Sequence, residues 1–317
     1  MHARTRKLAL LEGVTAGVFF GTAAIFIRLL PSVDAFTIAF WRLIVACIAL
    51  TATLIFLKTR LSLGLIRKNS LQLIILGLLL ALHLVLFISS VKDTTILNAT
   101  VLVNTAPIFS MFISAFIFKQ NPSKLALMGL AISFAGAFVI AFAETSNSAP
   151  DLTSSVKGDA EAMLAAIVEA FYLNYGRKVR AQMNILSIML PIYFFAGIAV
   201  GILSIPVSNE LLTLPTTLKI ILPLVGLGLL ATAVAHTLYF SSLSNLKSFE
   251  TANLALIEPV GATILGVAIF REIPGTLFVL GASLVLIGVL FVAKTKVDCP
   301  KETSGKFTLR PQLSSFL

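Results

Sequence analysis

The sequence predicts an all-α polytopic membrane protein with ten transmembrane helices, arranged as two five-helix repeats of inverted topology. Three observations predict it: the composition, the number of long apolar runs, and a segment that recurs in register. The chain is 58% hydrophobic and 12% charged, against about 25% charged residues in an ordinary soluble domain. A hydrocarbon core of about 30 Å needs about 20 apolar residues per helix. Runs of that kind fall at roughly 8–29, 35–57, 71–90, 96–118, 124–143, 157–175, 184–206, 218–241, 249–270 and 275–293.

The recurrence joins Ala99–Ala141 to Thr251–Ala293, 152 residues later and without a gap. Pro107 matches Pro259, Phe118 matches Phe270 and Pro122 matches Pro274, while Gly129 and Gly136 match Gly281 and Gly288. Prolines and glycines each mark a backbone position with its own steric demand. Their coincidence in one register is the mark of an internal duplication. The expected units are a first repeat over 8–143, a polar linker over 144–156, a second repeat over 157–294 and a tail over 295–317. Five spans is an odd number, so the second unit enters the membrane from the opposite side. Inverted repeats of this kind are characteristic of secondary transporters, where rocking of one repeat against the other alternates access to a central site.

The charge pattern orients the chain. The net charge is +10 with 24 Lys and Arg. With the N-terminus in the cytoplasm, 18 of these lie on the cytoplasmic side and five on the other, and Arg42 alone lies inside a span. Such a bias predicts N-in, C-in, and this distribution explains the charge without nucleic acid as a partner. The basic head followed by an apolar run resembles a signal peptide. However, the run from Leu8 to Leu30 is too long for one, and is read as the first span. Cys47 and Cys299 are far apart in sequence, so neither a disulfide nor a metal site is expected. No phosphate-binding G-x-x-x-x-G-K-[ST] loop occurs, which argues against ATP hydrolysis by this chain. No cofactor is expected.

Taken in order, the first span carries Gly13, Gly17 and Gly21 on one face, where small residues let a neighbouring helix approach. The second opens with FTIAFWRLIVA. Trp41 and Arg42 read there as an interfacial anchor, with an anion-binding role for Arg42 as the alternative. The third places His83, Phe87 and Ser90 on one stripe, and the eighth places Thr232, His236 and Tyr239 on another. Intramembrane histidines face the protein interior or water. Two readings stay open for them, the sides of one cavity or hydrogen bonds between neighbouring helices. The fourth brings Asn98, Thr100, Asn104 and Thr105 ahead of Pro107. Asn104 either satisfies backbone freed by the proline or faces solute.

The sixth span has Glu161 near its outer end, read as solvated, and Glu169 two turns deeper with Tyr172 on the same side. The ninth holds Glu258 beside Pro259. Insertion scales put a charged residue such as Asp at a helix centre at about 2.5–3.5 kcal/mol. Desolvation therefore favours the neutral carboxyl. Glu258 is accordingly a candidate for proton coupling, for contact with an amine group, or for satisfying backbone loosened by Pro259.

The segment LIEPVGATILGVAIFREIPGTLFVLGASLVLIGVLFV, with Glu258, Pro259, Glu272, Gly281 and Gly288, resembles the second-repeat signature of EamA-type members of the drug/metabolite transporter superfamily. The first copy is similar through Pro107, Gly129 and Gly136, but departs where members often have Gly-Glu, reading Lys119-Gln120. The resemblance implies a multi-pass carrier of the bacterial inner membrane, with 5+5 inverted topology and a central cavity lined mainly by helices 1, 3, 4, 6, 8 and 9. It places His83, Asn104, Glu169, His236, Tyr239 and Glu258 on helices of that cavity as expected substrate-binding residues.

The function expected is export of small metabolites, amino-acid-like or amphipathic, by alternating access, with protons as the candidate coupling ion. The alternative is uptake or facilitated entry of a vitamin, nucleoside-like or cofactor-like molecule. A non-transporting membrane scaffold is the alternative of another class. An enzyme is not expected, since no nucleophile–base or metal-ligand constellation emerges. The expected partners are a small-molecule substrate and the lipid bilayer.

Overall fold

The computed structural model describes residues 5–94, 96–119, 122–145, 155–205, 217–261 and 276–294, and among these every regular element is helical. Several sequence features lie outside the described residues: Phe270, Glu272, Pro274, Gln120, most of the linker and the tail from 295 onward. The first span is α1 (Arg6–Phe20) continued by α2 (Thr22–Arg28) across Gly21. Then come α3 (Ala35–Phe56), the short α4 (Leu63–Lys68) and α5 (Ser70–Asp93). The next span is split into α6 (Ile96–Val103) and α7 (Ala106–Phe116), followed by α8 (Lys124–Thr145). The second half runs through α9 (Val156–Arg180), α10 (Ile185–Ser204) and α11 (Leu218–Gly226). A π-helix over Leu227–His236 leads into α12 (Thr237–Ser242), and α13 (Ser248–Ala255) and α14 (Thr276–Ala293) complete the described chain.

Seven stretches are long and apolar enough to cross a bilayer among the described residues: Arg6–Arg28, Ala35–Phe56, Ser70–Asp93, Ala99–Phe116, Ile185–Ser204, Leu218–Ser242 and Thr276–Ala293. α9 has the length, at 25 residues, but carries charge at both ends and Glu169 within. The apolar part of α8 counts as a shorter apolar helix, Lys124–Val139. The span expected over 249–270 runs out of the described residues at 261. Large side chains such as Leu11, Ile55, Phe56, Phe116, Leu222 and Leu290 stand exposed. An apolar mantle of this extent suits lipid rather than water as its solvent.

Local chemistry explains the helix boundaries. Thr5, Asp34 and Ser155 each accept a backbone N–H of the first turn at the starts of α1, α3 and α9, the role that side-chain oxygens play at helix N-termini. Pro107 stands in the first turn of α7, where its missing N–H costs nothing. The turn at Asn104 and Thr105 precedes it, and the Thr105 hydroxyl donates back to Leu102 O at 2.6 Å. The apolar pattern does not predict the π-helix. There the Thr232 hydroxyl donates to Leu227 O, five residues back, at 3.0 Å, in step with the wider turn of that segment.

Glycines set the closest approaches. A Cβ on Gly17 would lie 2.5 Å from Leu254 O, and one on Gly13 would run into the Leu254 side chain. The stripe read on the first span therefore packs against α13. The two glycine pairs matched in the sequence meet each other. A Cβ on Gly129 would lie 2.7 Å from Gly288 O, and one on Gly136 would lie 2.6 Å from Gly281 O. Midway between them the Ser133 hydroxyl reaches Val285 O at 3.5 Å, 152 residues away. So α8 crosses α14 antiparallel, with each glycine opposite the partner of the other.

Candidate functional site

A cavity opens between the helices of the two halves, with about 450 Å³ of unfilled space including its mouth. Phe20 and Ala23 come from α1 and α2, Arg42 from α3, and His83, Leu84 and Phe87 from α5. Val103 and Asn104 stand at the break between α6 and α7, and Glu169 comes from α9. His236 ends the π-helix, Ala255 ends α13, and Glu258 opens the helical residues 258–261 beyond the turn at 256–257. Of the six residues singled out in the sequence, His83, Asn104, Glu169, His236 and Glu258 line this cavity. Tyr239 stands behind the wall and reaches it through Glu169.

The polar groups form a connected set. The buried Tyr239 hydroxyl donates to Glu169 Oε1 at 2.8 Å. His83 Nδ1 lies 3.1 Å from Ala165 O and 3.9 Å from Glu169 Oε2. A carbonyl oxygen only accepts, so Nδ1 carries the proton in that contact. The contact gives the first histidine both roles left open in the sequence, a bond to a neighbouring helix and a place on the cavity wall. His83 and His236 meet edge to face with ring centroids 6.1 Å apart. The stripes of the third and eighth spans thus converge. Phe20 packs edge-on against both His236 and Tyr239, at 4.8 and 5.2 Å, and Phe87 stacks on His83. Apolar surface and polar groups therefore share one small space.

Several polar atoms there have no hydrogen-bond partner. Asn104 Nδ2 and His236 Nδ1 are buried and unpartnered. Unpaired buried donors and acceptors are costly, and in a ligand cavity they are the groups available to a solute. Asn104 adjoins the Pro107 break, yet its side-chain amide donates to no freed carbonyl. In the same turn the Thr105 hydroxyl donates to Leu102 O. Tyr172 does not join the set: its ring packs on Phe240 at 5.3 Å and its hydroxyl faces Met189 Sδ. Glu161 stays half-buried beside Lys157, 3.7 Å away. The side chain of Asn98 lies outside the described residues.

Arg42 is where the structure departs from the interfacial reading of the second span. It is 1% exposed and lines the cavity, so it is no anchor at a water interface. Its Nε donates to the Thr232 hydroxyl at 2.8 Å. Thr232 is held in turn by the π-helix, and Tyr193 donates to Thr232 O at 2.8 Å. In the sequence the neighbouring Trp41 suggests an interface, whereas its indole nitrogen is buried. The arginine inside an apolar run is the signal for the interior, because intramembrane charge faces a bundle interior or cavity by default.

The EamA-like transporter family profile matches the chain twice, over residues 7–142 and 156–294. The chain belongs to the EamA-like transporter family. It is a multi-pass membrane protein of a family whose matched relatives are named transporters rather than enzymes. An uncharacterized transporter of Archaeoglobus fulgidus is 25% identical over 91% of this chain and 97% of its own length. The match to the uncharacterized transporter YdfC of Bacillus subtilis, 26% identical, spans 61% of this chain and 61% of that protein. The uncharacterized inner membrane transporter YedA of Escherichia coli is 25% identical over 64% of this chain and 63% of its own. The S-adenosylmethionine uptake transporter of Rickettsia prowazekii is 23% identical over 68% and 69%. A crystal structure superposes with a TM-score of 0.75 at 17% identity, covering 90% of this chain and 96% of the other, a likeness of fold alone.

Proposed function

We propose that this EamA-family protein is a secondary transporter of the bacterial inner membrane that exports small amino-acid-like or amphipathic metabolites by alternating access. The observation that carries this reading is the convergence of His83, Asn104, Glu169, His236 and Glu258, from separate helices of both halves, on one cavity with apolar walls. Phe20, Leu84, Phe87 and Val103 would hold the body of the solute. Asn104 and His236 would orient its polar groups, and Glu169 and Glu258 would take an amine or donor group. Tyr239 would act as a positioning residue through Glu169.

The proposed architecture is ten transmembrane helices in two inverted five-helix repeats, with both termini in the cytoplasm. The reciprocal crossing of Gly129 on Gly288 and Gly136 on Gly281 supports it. Equivalent helices that cross antiparallel about an equivalent residue pair are related by a two-fold axis perpendicular to them, as inverted repeats require. The excess of Lys and Arg on one side supports the orientation. YedA, described as an inner membrane transporter, supports the location.

Coupling to protons is assigned to Glu258, a carboxyl buried on the cavity wall beside Pro259. The test is flux of a labelled solute from proteoliposomes under an imposed pH gradient. The Glu258→Gln protein is expected to lose the pH dependence while keeping its fold. Flux with unchanged pH dependence would remove Glu258 from coupling. The solute itself is found by profiling metabolites in cells and medium after induced expression. A compound that rises in the medium and falls inside only with the unmodified chain supports export.

One observation favours a second reading. The Rickettsia relative is named as an uptake transporter for S-adenosylmethionine, and the same cavity would serve uptake of a cofactor-like molecule. Net direction follows gradients and coupling rather than architecture. Accumulation inside the cells in the same experiment selects this reading over export. A scaffold without transport predicts no solute-dependent flux from the purified chain.

A further inference from the structure

We propose that Arg42 is an anion-binding residue of the cavity and holds a carboxylate-class group of the solute, a role that rests on the carrier reading for its ligand. Arg42 lines the same cavity as Glu169 and Glu258 but forms an ion pair with neither. Among the described residues no carboxylate lies within 4 Å of its nitrogens. Its Nε is committed to Thr232 at 2.8 Å, while Nη1 is buried with no partner. A guanidinium presents five donors in a planar fork suited to a carboxylate. One taken out of water and left without a counter-ion is strongly disfavoured.

The surroundings position the arginine without neutralising it. Thr232 is tied into the π-helix at Leu227 O and by Tyr193. A Cβ on Gly228 would lie 3.0 Å from Arg42 O, so the π-helix and α3 are in backbone contact at the arginine. Glu169, on the same cavity, is engaged by Tyr239. The cavity thus carries a guanidinium and two carboxyls that do not pair with each other. The solute that satisfies both carries an anionic group and, apart from it, an amine-class donor.

The site is tested with acetate as the probe. Purified full-length protein in lipid nanodiscs is titrated with sodium acetate replacing sodium chloride at constant ionic strength. Trp41 is the one tryptophan of the chain and adjoins Arg42, so its emission reads occupancy locally. Thermal unfolding reads it independently, because a ligand of the native state raises stability. A saturable response is expected in both signals, with the neutral isostere acetamide giving none. In Arg42→Gln, which keeps a donor for Thr232 but not the charge, the acetate midpoint rises about tenfold or more. Arg42→Lys keeps a saturable response.

Equal responses to acetate and acetamide, no response, or an acetate midpoint unchanged in Arg42→Gln would overturn the assignment. If Arg42→Gln does not fold, the acetate–acetamide contrast in the unmodified protein decides. Flux of a labelled amino-acid mixture from proteoliposomes separates the two readings. Acetate binding without flux leaves the anion site standing and removes the carrier. Flux without an acetate response does the reverse.

Discussion

Replacing Gly136 with alanine tests the crossing of α8 and α14 most directly. The new Cβ would lie 2.6 Å from both Gly281 O and Val285 N, and 2.8 Å from Leu284 Cβ. Two of these neighbours are backbone atoms that cannot swing aside. An ordinary contact begins at 3.4 Å, so the helices must part by roughly 0.8 Å at this point. A gap of about 0.5–1 Å forfeits a quarter to a half of each dispersion contact. A patch of about 50 atom pairs at about 0.15 kcal/mol each then loses roughly 2–4 kcal/mol. Overpacked cores relax to a cost of about 1–3 kcal/mol, which is the loss expected for Gly136→Ala.

Gly197 in α10 is the matched control, since a Cβ there meets nothing within 4 Å. Alanine at that position gains helix propensity of about 1 kcal/mol. The two substitutions are chemically identical and should have opposite signs. The assay is thermal or denaturant unfolding of the purified proteins in the same micelle. Gly136→Ala as stable as the unmodified protein, or as Gly197→Ala, would refute the tight antiparallel crossing and weaken the inverted-repeat reading built on it.

Further outcomes follow from the ion pairs and from the bond behind the cavity wall. Tyr239→Phe removes the 2.8 Å donor to Glu169 and is expected to cost about 1–3 kcal/mol, as for a buried acceptor left short of a partner. Unfolding within about 0.5 kcal/mol of the unmodified protein would show that the bond contributes little. Arg6 makes two bonds to the buried Glu250, at 3.1 and 3.0 Å. Lys157 meets Asp93 at 2.7 Å with its own side chain 73% exposed. Arg6→Ala is expected to destabilise by about 1–3 kcal/mol, discounted from a fully buried pair because Arg6 is partly solvated. Lys157→Ala should stay within about 1 kcal/mol. Equal losses for the two would mean that burial of Glu250 does not strengthen its pair.

The matched register of Gly129, Gly136, Gly281 and Gly288 is legible in the sequence alone. A duplication is a matter of spacing, and spacing is a property of the chain. The same holds for the apolar runs, whose length answers to the thickness of a bilayer. It also holds for most of the cavity residues, because histidine, asparagine and glutamate inside such runs must face away from lipid whatever their neighbours. Tertiary structure decides which way each helix turns. It brings Arg42 into the cavity although the adjacent tryptophan in the sequence suggests an interface, and it sets Tyr239 behind Glu169 rather than on the wall. It also turns Tyr172 toward Phe240 and widens the helix over Leu227–His236. A side chain's face is known from its own helix only up to a rotation about the axis, and packing of the other helices sets that rotation. The apolar pattern therefore determines what lies in the membrane, and the contact of α3 with the π-helix determines where Arg42 points.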